Sequence, residues 1–415
     1  MISELKIRNF KSLESVNLKL GHFNLLVGAN ASGKSNFLDA LRFLQGVGNG
    51  FSIEGVLNGI PQTSTSVKWD GIRGGSKLVA FRKPDDSQSE FNEFQIVFDN
   101  DGLINCNVDE LTYGLNWGIK NGTISISSEF LKSETGKIII DDTVGFQVPV
   151  EETEEFLNSN RALHSKQSIE EMLAEWPRIS FWSQSDYPSE IATKCARAVS
   201  ARLADMQFLD LLPAVLRNYS SKVARLGELG EGFAALIHEI ESNGSKPALL
   251  EWLKELRPNE VDDIYSLEGL NNDFMVAVKE GNKEFRAPAL SEGTLRFIAL
   301  AAAFFQPSMP KVLVIEEIEK GLHPSRLRLL LELMRSQSKR TGTQVFATTH
   351  SPTLLAWLTE EDRKTTFVCT RDAESGATKM HSLAEVPRLE ELIHKDYHLD
   401  QLFEEGWLES VLHES

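Results

Sequence analysis

Cysteine is scarce in this chain of 415 residues: Cys106, Cys195 and Cys369 stand apart, with no Cys-x-x-Cys pair. That excludes a disulfide framework and a thiolate zinc site, and isolated thiols suit a reducing cytoplasm. Basic residues are also in deficit, 43 against 60 acidic ones, for a formal net charge of −17. A protein that held nucleic acid over its whole surface would show the opposite balance, because phosphate neutralisation supplies most non-specific affinity. DNA contact is therefore left open but not indicated; Arg73, Lys77, Arg82 and Lys83 either line a local groove or form a solvated face. No run approaches the ~18 apolar residues of a membrane span, and the first residues read as a charged strand, so neither export signal nor membrane anchor is expected.

What is present begins at Gly28-Ala29-Asn30-Ala31-Ser32-Gly33-Lys34-Ser35, after the apolar run Phe23 to Val27 and before Asn36 to Leu44, which has helical spacing. Strand, glycine-rich loop and helix in that order make a phosphate-binding loop. Glycines let successive backbone N–H groups converge on phosphate oxygens, the helix start adds its positive end, Lys34 reaches the terminal phosphates, and the Ser35 hydroxyl ligates Mg2+. A nucleoside triphosphate is the ligand this implies.

Further along, Lys311-Val-Leu-Val-Ile-Glu316-Glu317 is an apolar strand closed by two carboxylates. Glu316 is placed to hold the magnesium, directly or through water, and Glu317 to orient or deprotonate an attacking water. A buried strand ending in surface glutamates is the plain alternative. Ser291 and Gly293, in Ala289-Leu-Ser-Glu-Gly-Thr-Leu-Arg296, open an alanine-rich helix from about Leu295 to Phe305 and make a second anion site, or only an ordinary helix start. Gln344 to Thr349 is another apolar strand, followed by His350, which reads either as a structural histidine or as a sensor of the terminal phosphate.

Together these motifs resemble the ABC-type ATPases of the RecF, SMC and OLD-like group, and the opening Leu5-Lys-Ile-Arg-Asn-Phe-Lys11-Ser12 is similar to that group's first strand and turn. The resemblance covers both ends of the chain well and the middle loosely. It implies that Gly28 to Ser35, with Asn36 after it, is the Walker A loop, Leu290 to Thr294 the signature motif, Val312 to Glu317 the Walker B strand and His350 the switch histidine. Lys11 would approach the nucleotide, and Gly321-Leu-His323-Pro324 falls at the D-loop, where the two copies of such a dimer meet. The usual first Walker B carboxylate is Asp, so Glu316 departs by one methylene, which puts a directly held magnesium in doubt. The nucleotide-binding component of a transporter fits poorly, since its signature would end in Gly-Gln rather than Gly293-Thr294.

The family mechanism implies ATP with Mg2+, hydrolysis to ADP and phosphate, and a homodimer in which Lys34 of one copy and Ser291 of the other clamp each terminal phosphate. The expected fold is α/β: an ABC-type P-loop ATPase head with an antiparallel β portion and a compact helical insertion. The expected division is residues 1–150 for the Walker A lobe, 151–283 for a mainly helical insertion, with helical patterns at for example Ile169 to Trp176, Glu190 to Leu209 and Phe233 to Glu241, and 284–415 for the lobe with signature, Walker B and histidine. Sustained heptads are missing from the insertion, and prolines break it at 177, 188, 213, 247 and 258, which disfavours extended coiled-coil arms. The stretch after His350 is expected to hold a strand or two and closing helices, short of the TOPRIM nuclease domain that OLD-type nucleases carry there. The resemblance thus implies a switch that acts on a separately encoded effector, nuclease or TOPRIM-like, in anti-phage defence. A RecF-like DNA clamp for repair or replication is the alternative.

Three smaller features stay open at this point. Trp176, Phe181, Trp182 and Tyr187 are a base-stacking platform or loop packing. Tyr397 to Trp407 is an interaction helix or docks on its own lobe. Arg326 and Arg328 are exposed helix positions rather than arginine fingers.

Overall fold

The computed structural model describes residues 1–62, 69–99, 109–133, 138–141, 177, 179, 190–221, 223, 225–256, 261–395 and 397–414. The helix expected from Ile169 to Trp176, the aromatic group Trp176, Phe181, Trp182 and Tyr187, and Cys106 lie outside the described residues. The strands, in chain order, are β1 (Ile2–Phe10), β2 (Leu13–Lys19), β3 (Phe23–Val27), β4 (Asn92–Asp99), β5 (Glu110–Lys120), β6 (Thr123–Ser133), β7 (Ile138–Asp141), β8 (Met206–Leu209), β9 (Asp263–Glu268), β10 (Phe274–Glu280), β11 (Lys283–Arg286), β12 (Val312–Ile315), β13 (Gln344–Thr349), β14 (Thr366–Arg371) and β15 (Thr378–Ser382). The helices that matter below are α1 (Lys34–Gly48), α2 (Glu190–Ala204), α3 (Phe233–Ser242), α4 (Lys246–Leu256), α5 (Glu292–Ala303), α6 (Pro324–Thr341), α7 (Leu399–Glu404) and α8 (Trp407–Glu414).

Two compact units are formed from interleaved stretches of chain. The first takes Met1–Gly21, Ala29–Met206 and Val368–His381; the second takes His22–Gly28, Gln207–Phe367 and Ser382–Ser415.

The first unit is built on an antiparallel sheet of order β2-β1-β4-β5-β6-β7. Alternation along β1 sends Leu5 and Ile7 inward, and the tight link to β2 is made by Asn9 and Lys11 in left-handed backbone, φ 61° and 52°. Over the buried face lies α1, whose Phe43 ring stacks on Phe94 at 4.9 Å and on Trp117 at 5.3 Å. Each such pair adds about 0.5–1.5 kcal/mol beyond its burial, so these rings fix α1 firmly on the sheet. On its other side α1 meets α2, where Ser200 Oγ donates to Gly48 O at 2.9 Å.

In the second unit, β3, β13 and β12 pair in parallel, and every residue of the three is buried. Covered on both faces, such strands read as largely apolar runs, with Asn24, Gln344, Thr348 and Thr349 the buried polar exceptions, which is why they were legible in the sequence. Helices α3 to α6 share a core with these strands, in which Phe297, Ile298, Leu300, Leu330, Leu331 and Met334 are continuous with Leu25, Leu313 and Val345. A separate meander of order β11-β10-β9 departs from the mainly helical character expected between 151 and 283. The β-branched and aromatic run of β10 pairs across two short turns, and His238 of α3 stacks on its Phe274 at 4.2 Å, so sheet burial outweighs the helical pattern nearby. Likewise the helix read from Glu190 to Leu209 stops at Ala204, and Met206–Leu209 is a strand with all residues buried. Of the two readings of the closing segment, docking is the one found: Leu399, Leu402, Leu408 and Leu412 are buried within the second unit. Among the described residues, no helix is long and apolar enough to cross a membrane.

Candidate functional site

The phosphate loop leaves β3 at Gly28 and enters α1 at Lys34. Gly33 takes φ 103°, and a Cβ there would come within 1.9 Å of Thr378 Oγ1, so conformation and space both demand glycine. Around it runs a one-directional hydrogen-bond chain in the first unit: Asn36 Nδ2 donates to Ser12 Oγ (2.6 Å), Ser12 and Thr378 hydroxyls meet at 2.6 Å, and Thr378 Oγ1 donates to Ser32 O (3.1 Å). With the last link fixed as a donor, Ser12 must donate to Thr378, and the loop is braced from both sides. Lys34 is 5% exposed, its ammonium curled under the loop to Ala29 O at 2.8 Å and Ser32 Oγ at 3.3 Å. Thr378, far along the chain, carries no local motif and was invisible in the sequence.

Lys11 projects from the β1–β2 turn onto the Asp39 carboxylate of α1 and donates to Arg73 O at 2.6 Å. Arg73 in turn donates from Nε to Asp39 Oδ1 at 3.1 Å and from Nη2 to Ser35 O at 2.6 Å. Burial pulls the Lys11 pKa below its ordinary value, against the opposing pull of the Asp39 hydrogen bond and charge. From Ser35 and Asn36 a cleft of about 600 Å³ opens between Lys77, Arg82, Lys83 and Arg371. The cationic residues noted in the sequence thus share one wall system with the loop, and Asp39, 3% exposed, is the carboxylate at its floor.

In the second unit β12 delivers Glu316 and Glu317 at its end. Glu317 has φ 46°, a left-handed conformation that costs a non-glycine residue about 1–3 kcal/mol and persists only where the surroundings over-determine it. They do. Its N–H donates to Thr348 Oγ1 of β13 (3.0 Å), and its carbonyl accepts from Arg296 Nη2 (2.9 Å), which also reaches Glu316 O (3.0 Å), while Nη1 reaches Leu211 O (3.0 Å). Arg296 comes from α5 and is 1% exposed; burial lowers its pKa, and the charges of Asp210, Glu317 and Glu319 counter that shift.

The side chain of Glu317 faces a histidine and a lysine. His350 Nε2 lies 3.5 Å from Oε1 and Lys320 Nζ 3.6 Å from Oε2, with Lys320 also 3.7 Å from Asp210. His350 Nδ1 meets Gly28 O at 3.1 Å. A carbonyl only accepts, so Nδ1 carries a hydrogen and Nε2 is the nitrogen turned to the carboxylate. The imidazole therefore lies between Gly28 and the Glu317 carboxylate, and its backbone N–H is held by Glu319 Oε1 at 2.6 Å.

Ser291 caps α5, accepting from Thr294 N at 3.2 Å with Thr294 Oγ1 at 2.7 Å. A Cβ on Gly293 would fall 2.2 Å from Gly321 O, so the signature turn and the Gly321-to-Pro324 turn lie backbone to backbone. Arg328 is exposed and pairs with Glu332 at 2.9 Å, an ordinary surface arrangement, and Arg326 is half-buried. Of the residues singled out in the sequence, Lys11 and Ala29 to Asn36 belong to the first unit, and Gly28, Ser291, Gly293, Glu316, Glu317 and His350 to the second. Arg296, Thr348 and Asp39 were not singled out: a buried arginine in an alanine-rich helix, a strand threonine and a helix aspartate have no periodic signature.

The AAA ATPase domain family model matches residues 1–211, and a second AAA domain model, whose description names the AbiEii toxin of a Type IV TA system, matches residues 197–356. The ATP/GTP phosphatase of Helicobacter pylori is 25% identical over 374 residues, covering 88% of this chain and 90% of that protein. Endonuclease GajA of Bacillus cereus is 50% identical over 42 residues, which are 10% of this chain and 7% of that protein. Among solved structures, an SMC head bound to the C-winged helix domain of ScpA aligns with a TM-score of 0.54 at 15% identity, over 95% of this chain and 99% of that one. At that identity the likeness speaks for the fold.

Proposed function

The chain belongs to the AAA ATPase domain family, with the fold of the ABC-type heads of the RecF, SMC and OLD-like group, and on that premise we propose that it is an ATP-driven dimerising switch. Hydrolysis of ATP follows from the family and from the relative named for phosphatase activity on ATP and GTP. The observation that carries the residue roles is the Glu317–His350–Gly28 contact, which ties a carboxylate at the Walker B end to the origin of the phosphate loop. In this reading Lys34 and the loop N–H groups hold the phosphates, Glu317 orients and deprotonates the attacking water, and His350 senses the terminal phosphate. Lys11 and Arg73 approach the nucleotide where the cleft begins.

In this reading Ser35 would offer magnesium a hydroxyl and Glu316 a carboxylate, hard oxygen ligands of the kind that leave other positions to water and phosphate. Bound there, the ion would neutralise charge on the phosphate oxygens. The three segments 1–150, 151–283 and 284–415 then serve as Walker A lobe, insertion and signature lobe, in a cytoplasmic protein.

Dimerisation is argued from the exposed start of α5. Ser291 and the helix dipole present a neutral anion site with no lysine, which suits a terminal phosphate already held by Lys34 of another copy. Such a switch needs an output, and the short likeness to endonuclease GajA supports a separately encoded nuclease or TOPRIM-like effector in anti-phage defence. Ser291→Arg tests the sandwich. The variant is expected to bind nucleotide like the parent, to stay monomeric with ATP by light scattering, and to lose turnover by about 10²-fold or more, the size of a lost oriented-dipole contact. Dimer formation and turnover at the parental level would overturn it.

One observation favours the second reading, a RecF-like DNA clamp: the cleft walls bring Lys77, Arg82, Lys83 and Arg371 together. Four phosphate contacts would weaken binding roughly 10²-fold between about 50 and 200 mM salt. Filter binding of duplex DNA is expected to show no ATP-dependent retention; ATP-dependent retention with that salt response would make the clamp the better reading.

A further inference from the structure

We infer that Arg296 is a positioning residue for hydrolysis, linking the signature turn to the backbone of Glu317; this rests on Glu317 being the general base. Its guanidinium makes no carboxylate pair among the described residues. It spends its fork on carbonyls, two in succession at the end of β12 and a third, Leu211 O, just past β8. Nε is buried without a hydrogen-bond partner. A buried cation held in this way is a poor stabilising device, since an apolar side chain of similar volume is often neutral or better in such places. The geometry explains its presence otherwise.

Glu316 O and Glu317 O point to one planar group only because Glu317 is left-handed, and that same turn aims its carboxylate at His350. A fork with fixed spacing selects this turn; a point charge such as a lysine ammonium does not. Arg296 stands on the second turn of α5, whose first residues carry Ser291 and Gly293. A small shift of that helix start on engaging a phosphate is thereby passed to the base through two hydrogen bonds. The signature motif, in this view, contributes to catalysis twice: by its own anion site, and by holding the carboxylate of its own chain in register.

The test is a double-variant cycle. Arg296→Lys and Arg296→Gln are prepared in the parent and in the Glu317→Gln background, with folding checked by circular dichroism and nucleotide affinity measured separately. In the parent, Arg296→Lys is expected to lower kcat roughly 10- to 100-fold, the scale of a misplaced catalytic group, with nucleotide affinity unchanged. In the Glu317→Gln background the same change is expected to cost nothing more, because there is no base left to position. Equal fold losses in both backgrounds, an unaltered kcat, or failure of both variants to fold would overturn the assignment. Undiminished turnover of Glu317→Gln alone would instead remove the reading on which it rests.

Discussion

Glu317→Gln keeps nucleotide binding and slows ATP turnover by about 10²–10⁴-fold, the contribution of a positioned general base. The substitution is nearly isosteric, so the left-handed backbone, the Thr348 Oγ1 contact and the two Arg296 bonds, all made to backbone atoms of residues 316 and 317, are retained. What goes is the carboxylate facing His350 and Lys320. Those pairs are exposed enough to contribute little to folding, and the melting temperature is expected to hold. Since the phosphate loop is untouched, ATP still binds, and with hydrolysis stalled the nucleotide-bound dimer accumulates. Phosphate release gives the rate and light scattering the mass. A parental rate would take Glu317 out of the mechanism.

How much of this was legible follows from how each feature is encoded. The phosphate loop and the strands β3, β12 and β13 announce themselves because parallel strands buried on both faces are mostly apolar, and because a phosphate cradle needs glycine at a fixed place such as Gly33. His350 was singled out by order alone, as the residue that follows β13. The β9–β11 meander was missed because strands of 4 to 7 residues beside strong helical segments give too little periodicity to tell period 2 from period 3.6. The braces escaped for a different reason. Thr378 on Ser32 and Arg296 on Glu317 act across long separations, through single hydrogen bonds whose partners are backbone carbonyls, and a carbonyl leaves no trace in the choice of residue.

Lys34→Ala should abolish tight triphosphate binding. The ammonium is 5% exposed and already lies among loop oxygens, Ala29 O and Ser32 Oγ, so it is positioned before any ligand arrives and loses little side-chain freedom on binding. Hydrogen bonds to a charged group contribute about 1.5–3 kcal/mol each, and two such bonds to phosphate oxygens correspond to roughly 10²–10⁴-fold in affinity. Alanine also empties the space under the loop, so a fall in affinity alone would confuse lost charge with a collapsed cradle. Lys34→Met separates them. It restores the stem volume without the charge, and if the cradle acts through its ammonium, both variants lose affinity alike by calorimetry while Lys34→Met melts at the parental temperature. Retained affinity in either would contradict the cradle, whereas recovery in Lys34→Met alone would show that the stem shapes the loop and that the backbone N–H groups suffice to bind phosphate.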